Sequence, residues 1–301
     1  MSVTAIGFIG LFFLFLFLVL RMPVAMAMLV VGFVGTWVVN GTVPALTSLS
    51  GEAFEIISFS QLTVVPLFVL MGNLAGVSGM SRDLYNAAYK WIGHFRGGLA
   101  SATIVGCAGF AAMSGSSIAA AVTMGRVALP EMKRFKYSDS LATGSVAAGG
   151  TLGILIPPST GMIIYAILTE QSIGRLFMAG ILPGLLLTGL FLIAIYIVTK
   201  RTPEKGPAGP RATFKERLAS LRAAGTIVSV VLMTIGGIYL GWFTPVEAAG
   251  VGAFMVLVIA LYRKELNWPK AKFVVLQTLR TTATVFMILI GAHVFIPFMA
   301  L

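Results

Sequence analysis

Residues 150–160 read GTLGILIPPST, and residues 113–118 read MSGSSI. Both stretches interrupt apolar segments with residues that break helices or carry hydroxyl oxygens. Non-helical backbone at membrane depth persists only where it is buried in protein or lines a polar cavity, because unpaired polar groups are costly in lipid. We therefore expect both interruptions to lie inside the protein, at similar depth.

The rest of the chain predicts an all-α polytopic membrane protein. Of its 301 residues, 58% are hydrophobic and 10% are charged, and mean hydropathy is +0.97. Apolar runs long enough to cross a ~30 Å hydrocarbon core recur throughout, whereas a barrel would show short alternating segments. The predicted spans are 3–20, 24–39, 61–77, 142–167, 176–198, 225–241, 246–262 and 281–299, with an interrupted region at 98–129.

Basic residues set the predicted topology. With the N-terminus outside and 98–129 as a re-entrant hairpin, every Lys and Arg except Arg175 falls on the inner side, as the positive-inside rule requires. The net charge of +11 then needs no nucleic-acid partner, since anionic inner-leaflet lipid attracts basic loops. We expect the basic segment 200–222 to lie on the inner surface as an amphipathic helix.

Two segments indicate an inverted repeat. MPVAMAMLVVGFVG at 22–35 and TPVEAAGVGAFMVL at 244–257 share a Pro-Val start, small residues and an apolar helix. The predicted topology gives them opposite directions, as in secondary transporters. The resulting regions are scaffold spans and interfacial arm helices (1–97), hairpin and broken helix (98–175), a span with the basic surface helix (176–222), and the start of the second repeat (223–301).

The two interruptions predict an ion and substrate site. A broken helix offers carbonyls, which suit Na⁺, at one end, and N–H groups, which suit a carboxylate, at the next. The alternative is that these small residues only pack helices closely. The predicted site residues are Ser114, Gly115, Ser116, Ser117, Gly149, Gly150, Gly153, Pro157, Pro158, Ser159 and Thr160, with Na⁺ near Ser114, Ser116, Ser117 and Gly153.

Other polar residues leave two interpretations open. Asn73, in VLMGNLAG, could form a hydrogen bond between helices or a secondary part of the site. We expect His293 to be a packing or interface residue and Arg126 to be a membrane anchor. Cys107 is the single cysteine, so no disulfide forms within the chain.

Residues 98–158, with LPGLL at 182–186 and TPVEAAG at 244–250, resemble the large membrane subunit of the tripartite ATP-independent periplasmic (TRAP) transporters. The resemblance implies an elevator-type, usually Na⁺-coupled importer of organic acids such as sialic acid or C4-dicarboxylates, in the bacterial inner membrane. It also implies a small (Q-type) membrane subunit and a periplasmic binding protein. By the same resemblance, Ser114 to Ser117 and Gly149 to Ser159 fall in the transport domain.

The family pattern includes a second hairpin and a second broken helix, which this sequence does not reach, so we expect a fragment carrying half of the site. One alternative is a noncatalytic scaffold subunit. Another is an intramembrane hydrolase with Ser116 as nucleophile, which would need His94 or His293 as base and has no intramembrane acid to orient either. No GxxxxGK[ST] motif occurs, so we expect that the chain does not itself use ATP. As a transporter subunit it is expected not to be an enzyme.

Overall fold

The computed structural model describes residues 2–300, and its regular elements within that range are all helical. The helices are α1 (Val3–Val19), α2 (Val24–Asn40), α3 (Thr42–Ser58), α4 (Val64–Val77), α5 (Met80–Ile92), α6 (Gly98–Ser114), α7 (Ser117–Arg134), α8 (Asp139–Leu155), α9 (Thr160–Leu168), α10 (Ile173–Arg201), α11 (Phe214–Val231), α12 (Gly237–Tyr239), α13 (Pro245–Tyr262) and α14 (Trp268–Ala300). A 3₁₀ turn, Ser60–Thr63, precedes α4, and a π-helical segment, Leu232–Gly236, joins α11 to α12.

Several helical segments match the predicted spans. Within the described residues, six are long and apolar enough to cross a membrane: Ser60–Val77, Asp139–Leu168, Ile173–Arg201, Phe214–Tyr239, Pro245–Tyr262 and Trp268–Ala300. Val3–Val19, Val24–Asn40 and Gly98–Ser114 are shorter apolar helices. The prediction of an all-α polytopic membrane protein is confirmed.

The chain divides into two compact units. The first contains the described parts of Met1–Thr63 and Leu279–Leu301, and its helices α2 and α14 approach closely at glycines. A Cβ added at Gly32 would lie 2.7 Å from the Val294 carbonyl oxygen, and one at Gly291 would lie 2.4 Å from the Ala25 carbonyl oxygen. Small residues thus let two backbones pack in contact.

The second unit, Val64–Thr278, contains the hairpin and the broken helix. Helix α8 packs against both arms of the hairpin, and α4 packs against α13. Arg263, which caps α13, donates to Asp83 on α5 and, at 3.0 Å, to the Thr226 hydroxyl on α11. One half-buried guanidinium therefore joins three helices.

The structure shows where the helix predicted in the basic segment 200–222 begins and ends. After an irregular stretch, a capping box between Thr213 and Glu216 starts α11, which continues without a break through the π segment and α12 to Tyr239. The basic first turns and the apolar residues that follow form one continuous helix, because no proline interrupts the chain between them. A position of the basic turns on the inner membrane surface remains a prediction. Lys and Arg stems can lie along such a helix while their charges reach water.

Residues 98–129 form the expected helical hairpin, although its second arm extends to Arg134. Pro130 lies within that arm and does not end it, since one proline removes only one helical hydrogen bond. The break in span 142–167 is also present, at Ile156–Ser159 between α8 and α9, and the Pro157–Pro158 peptide bond is cis. Entry of the hairpin into the membrane from the inside remains a prediction.

Candidate functional site

The hairpin tip and the broken helix contact each other directly. The carbonyl oxygen of Gly115 accepts from the Thr160 amide at 3.2 Å and from the Thr160 hydroxyl at 3.0 Å. Gly115 has a left-handed φ of +59°, and a Cβ there would lie 2.6 Å from the Pro158 carbonyl oxygen. Only glycine fits this turn without strain or collision. The two interruptions predicted to share a depth therefore form one locus.

Four helix ends converge on this locus. Helices α6 and α8 end there, and helices α7 and α9 begin there. The Ser116 hydroxyl accepts from the Ala119 amide at 3.3 Å, and the Ser159 hydroxyl accepts from the Met162 amide at 3.4 Å. These two serines are N-caps, which satisfy amides that have no partner within their helices. The partly negative ends of two helices thus meet the partly positive ends of two others.

Two further hydroxyls at the tip have no hydrogen-bond partner. The Oγ atoms of Ser114 and Ser117 are both buried, and Ser114 is only 4% exposed. Leaving a buried hydroxyl unpaired costs about 1–3 kcal/mol, so each such group calls for an explanation. Carbonyls 112–114, in the last turn of α6, lack an amide donor within the helix. Together these oxygens suit a bound cation that has shed water.

Glycines of α8 position this helix against the hairpin. A Cβ at Gly153 would lie 2.7 Å from the Ser116 carbonyl oxygen, one at Gly150 would lie 2.7 Å from the Ala121 Cβ, and one at Gly149 would lie 2.8 Å from the sulfur of the buried Cys107. These three glycines therefore let α8 approach the hairpin closely. All three nevertheless lie inside α8 and not in the break, which is confined to residues 156–159.

Sequence reasoning missed Gly72 on α4. A Cβ at Gly72 would lie 2.5 Å from the Ser114 Cα, so α4 presses on the hairpin tip. The signal available was its place beside Asn73 in an apolar segment. Asn73 itself donates to the Thr278 hydroxyl at 3.0 Å, which is the interhelical hydrogen bond of the first interpretation. A role for Asn73 in a secondary site remains a prediction.

The available ligands at the tip are oxygens. Within residues 2–300, no three His, Cys, Asp or Glu side chains group in a way that could hold a metal ion. Hydroxyl and carbonyl oxygens are hard, uncharged ligands, and hard cations prefer oxygen. The residues present therefore fit an alkali cation, and Ser114 and Ser117 are the side chains free to hold one.

These features define a class: polytopic helical membrane proteins in which a hairpin and a broken helix bring polar backbone ends together inside the fold. Residues 11–301 match the family model described as the tripartite ATP-independent periplasmic transporter, DctM component. The chain belongs to this family, as the motifs at 98–158 predicted.

Curated relatives agree with this assignment. The chain is 39% identical over 252 residues to the C4-dicarboxylate TRAP transporter large permease protein DctM of Pseudomonas aeruginosa, covering 83% of this chain and 58% of the relative. It is 36% identical to the isethionate TRAP transporter permease protein DctMQ of Oleidesulfovibrio alaskensis, covering 93% and 44%. It is 31% identical to the sialic acid TRAP transporter large permease protein SiaM of Vibrio cholerae, covering 96% and 66%.

The chain therefore spans roughly half to two thirds of these relatives' lengths. All three are named as permeases of transporters, which are not enzymes, and the hydrolase alternative is set aside on that ground. The geometry agrees, because the Ser116 hydroxyl caps α7 and the described hydrogen bonds do not join it to a histidine. His293 instead pairs with Glu52 within the first unit, Nδ1 to Oε2 at 3.3 Å.

Proposed function

We propose that this chain is the permease subunit of a Na⁺-coupled secondary importer of small organic acids. One observation carries the proposal. The hairpin tip meets the broken helix with two buried, unpartnered serine hydroxyls, on Ser114 and Ser117, beside capped helix ends. Close packing alone would not require this arrangement, because a packing role is served equally well by alanine.

The cation is assigned to the carbonyl ends. Carbonyls 112–114 and the hydroxyls of Ser114 and Ser117 are the oxygens with capacity to spare, whereas the Gly115 carbonyl already accepts two hydrogen bonds from Thr160. A bound Na⁺ would supply the partner that the two hydroxyls lack. Discontinuous helices in transporters use unwound carbonyls for ions in this way.

The solute is assigned to the amino ends. The N-termini of α7 and α9 carry partial positive charge and suit an anionic group. The three relatives described above are named for C4-dicarboxylates, isethionate and sialic acid, which all carry a carboxylate or sulfonate at neutral pH. We therefore assign this chain a small organic anion as solute and leave the particular acid to be measured.

The partners follow from family membership. A periplasmic binding protein would deliver the solute, and a small Q-type membrane subunit would complete the membrane part, in keeping with the name DctMQ of one relative. The proposed location is the bacterial inner membrane, with a periplasmic N-terminus and movement of the hairpin region as an elevator. A cysteine placed at Lys133 should then be labelled only from the cytoplasmic side, and labelling of intact cells from outside would reverse the topology.

The direct test is uptake by proteoliposomes that contain the complete complex of this permease, its small subunit and its binding protein. An inward Na⁺ gradient should drive accumulation of the acid that the purified binding protein carries, and a K⁺ gradient should not. Accumulation at the same rate without Na⁺ would remove ion coupling. No accumulation under any gradient would remove the transport function.

A further inference from the structure

A short segment after α10 lies across both ends of the hairpin. This segment, residues 202–209, is called the strap below. The Gly97 amide, at the start of the first arm, donates to the Gly206 carbonyl at 2.8 Å, and the Gly209 amide donates to the Gly93 carbonyl at 2.9 Å. The Ser138 amide, beyond the second arm, donates to the Lys205 carbonyl at 3.0 Å. Backbone hydrogen bonds thus fix three loops together.

The packing of the strap leaves little freedom. A Cβ at Gly206 would lie 2.8 Å from the Thr199 Cγ2 and 3.1 Å from the Gly97 Cα. The buried Thr199 hydroxyl also donates a hydrogen bond to the Arg96 carbonyl at 3.4 Å. The glycine at 206 lets the strap sit against the hairpin, so the position of its neighbours is set by backbone contacts.

This arrangement brings together exposed cations from loops and helix ends that are distant in sequence. The members are all exposed and lie in or beside the joined loops: Arg96, Arg134, Lys136, Lys200, Arg201 and Lys205. They are called the base patch below. Among the described residues only Arg134 has a carboxylate within 4.0 Å, that of Glu131 at 3.9 Å. Phe95, which is 60% exposed, stands beside Arg96.

We propose that the base patch is a binding surface for the headgroups of anionic phospholipids. Convergent cations attract anionic headgroups, and an exposed aromatic side chain suits the membrane interface. The patch would lie at the inner leaflet if the topology proposed above holds, and the proposal rests on the proposed function in that respect alone. The strap contributes by holding the three loops together, so that their charged residues form one surface.

Native mass spectrometry of the purified full chain with added lipid tests this. The probes are phosphatidylglycerol and phosphatidylcholine of the same acyl chains, with inorganic phosphate as competitor. The patch variant is Arg96→Gln, Lys136→Gln and Lys205→Gln. The matched control removes three other cations, Lys264→Gln, Lys272→Gln and Arg280→Gln, that the strap does not gather.

Wild type should retain phosphatidylglycerol in preference to phosphatidylcholine. The patch variant should bind phosphatidylglycerol more weakly, by about fivefold per cation removed as an upper bound, and the control should stay within about twofold of wild type. Equal loss in both variants, or no preference for phosphatidylglycerol, would overturn the proposal. Displacement by millimolar inorganic phosphate would make it a free-anion site instead.

A variant without any change of charge isolates the strap. Gly206→Ala should displace it and weaken phosphatidylglycerol retention, whereas Gly225→Ala, whose Cβ meets nothing within 4 Å, should not. Unchanged retention in folded Gly206→Ala would show that the strap does not build the surface. If that variant fails to fold, the glutamine variants still decide the proposal. These outcomes can be interpreted even if Na⁺-driven uptake fails, because lipid retention needs no ion gradient.

Discussion

Glycine brings backbones into contact in both units of the molecule, yet the contacts differ in kind. In the first unit, Gly32 and Gly291 meet carbonyl oxygens across α2 and α14, and both helices run through the contact without interruption. In the second unit, Gly115 and Gly153 meet backbone where helices stop and restart. Small residues therefore specify close packing in either case, and only a helix break adds free polar ends.

Serine chemistry separates the two regions further. At the hairpin tip, Ser116 and Ser159 cap helices, and Ser114 and Ser117 carry buried hydroxyls without partners. The described contact between α2 and α14 has no serine, although the Thr36 hydroxyl on α2 is also buried without a partner. We propose that capped helix starts together with free hydroxyls distinguish a binding site at the hairpin tip from a packing seam, the name used here for the close contact of α2 with α14.

The largest expected effect is at Gly115. Gly115→Ala should lower the free energy of unfolding by about 2–4 kcal/mol, because it combines left-handed strain with a collision against the Pro158 carbonyl. Gly144→Ala on α8 is the control, since its Cβ meets nothing within 4 Å and alanine favours helix by about 0.5–1 kcal/mol. Unfolding in mild detergent measures both. Equal stability of the two variants would mean that the break is not held by this contact.

Gly291→Ala tests the packing seam of the first unit. Its Cβ would lie 2.4 Å from the Ala25 carbonyl, so we expect a loss of about 1–3 kcal/mol from forced separation of α2 and α14. The Na⁺ concentration for half-maximal stabilisation should stay at the wild-type value. A changed Na⁺ dependence would erase the distinction between a seam and a site.

The four serines at the tip should divide into two pairs. Ser116→Ala and Ser159→Ala remove helix caps and should each cost about 1 kcal/mol. Ser114→Ala and Ser117→Ala remove hydroxyls that have no partner, so without Na⁺ each should be neutral or stabilising by about 1 kcal/mol. The same unfolding assay, run in choline chloride, compares all four. Similar losses of unfolding free energy in all four variants would show that Ser114 and Ser117 have a packing role.

Thr160 tests the side-chain hydrogen bond that joins the two breaks. Thr160→Val removes the hydroxyl donor to the Gly115 carbonyl and should cost about 0.5–1.5 kcal/mol, while Thr160→Ser keeps the donor and should cost less. Thermal unfolding of the pair measures the difference. If serine is no better than valine, the hydroxyl bond between the two breaks does not contribute to their contact.

Composition and helix-breaking residues predicted much of this fold. Hydropathy located the spans, and the SGSS and IPPST motifs located both interruptions, because proline and paired glycine and serine act locally. The sequence did not show that α11 continues directly into the predicted span 225–241. The basic residues 215, 217 and 222 indicate a membrane interface, but their backbone still favours helix. The charge of a residue indicates whether its side chain lies near water, but charge does not by itself end a helix.

The roles of the individual residues at the candidate site were harder to predict from the sequence. Sequence supplied five hydroxyls at the two breaks, but only three-dimensional contacts distinguish the caps at Ser116 and Ser159 from the free groups at Ser114 and Ser117. Gly72 was missed for the same reason, since its partner Ser114 lies on another helix. Long-range contacts of this kind leave no periodic signal in one sequence.

The central claim is that the free hydroxyls at the hairpin tip hold Na⁺. The measurement is thermal unfolding of the wild-type chain and of the Ser114→Ala, Ser117→Ala double variant, each in NaCl, KCl and choline chloride at constant ionic strength. We predict that Na⁺ alone raises the melting temperature of wild type in a saturable way, as a ligand of the folded state must, and that the double variant loses this response. Equal stability of wild type in all three salts, or an undiminished Na⁺ response in the double variant, would contradict the account.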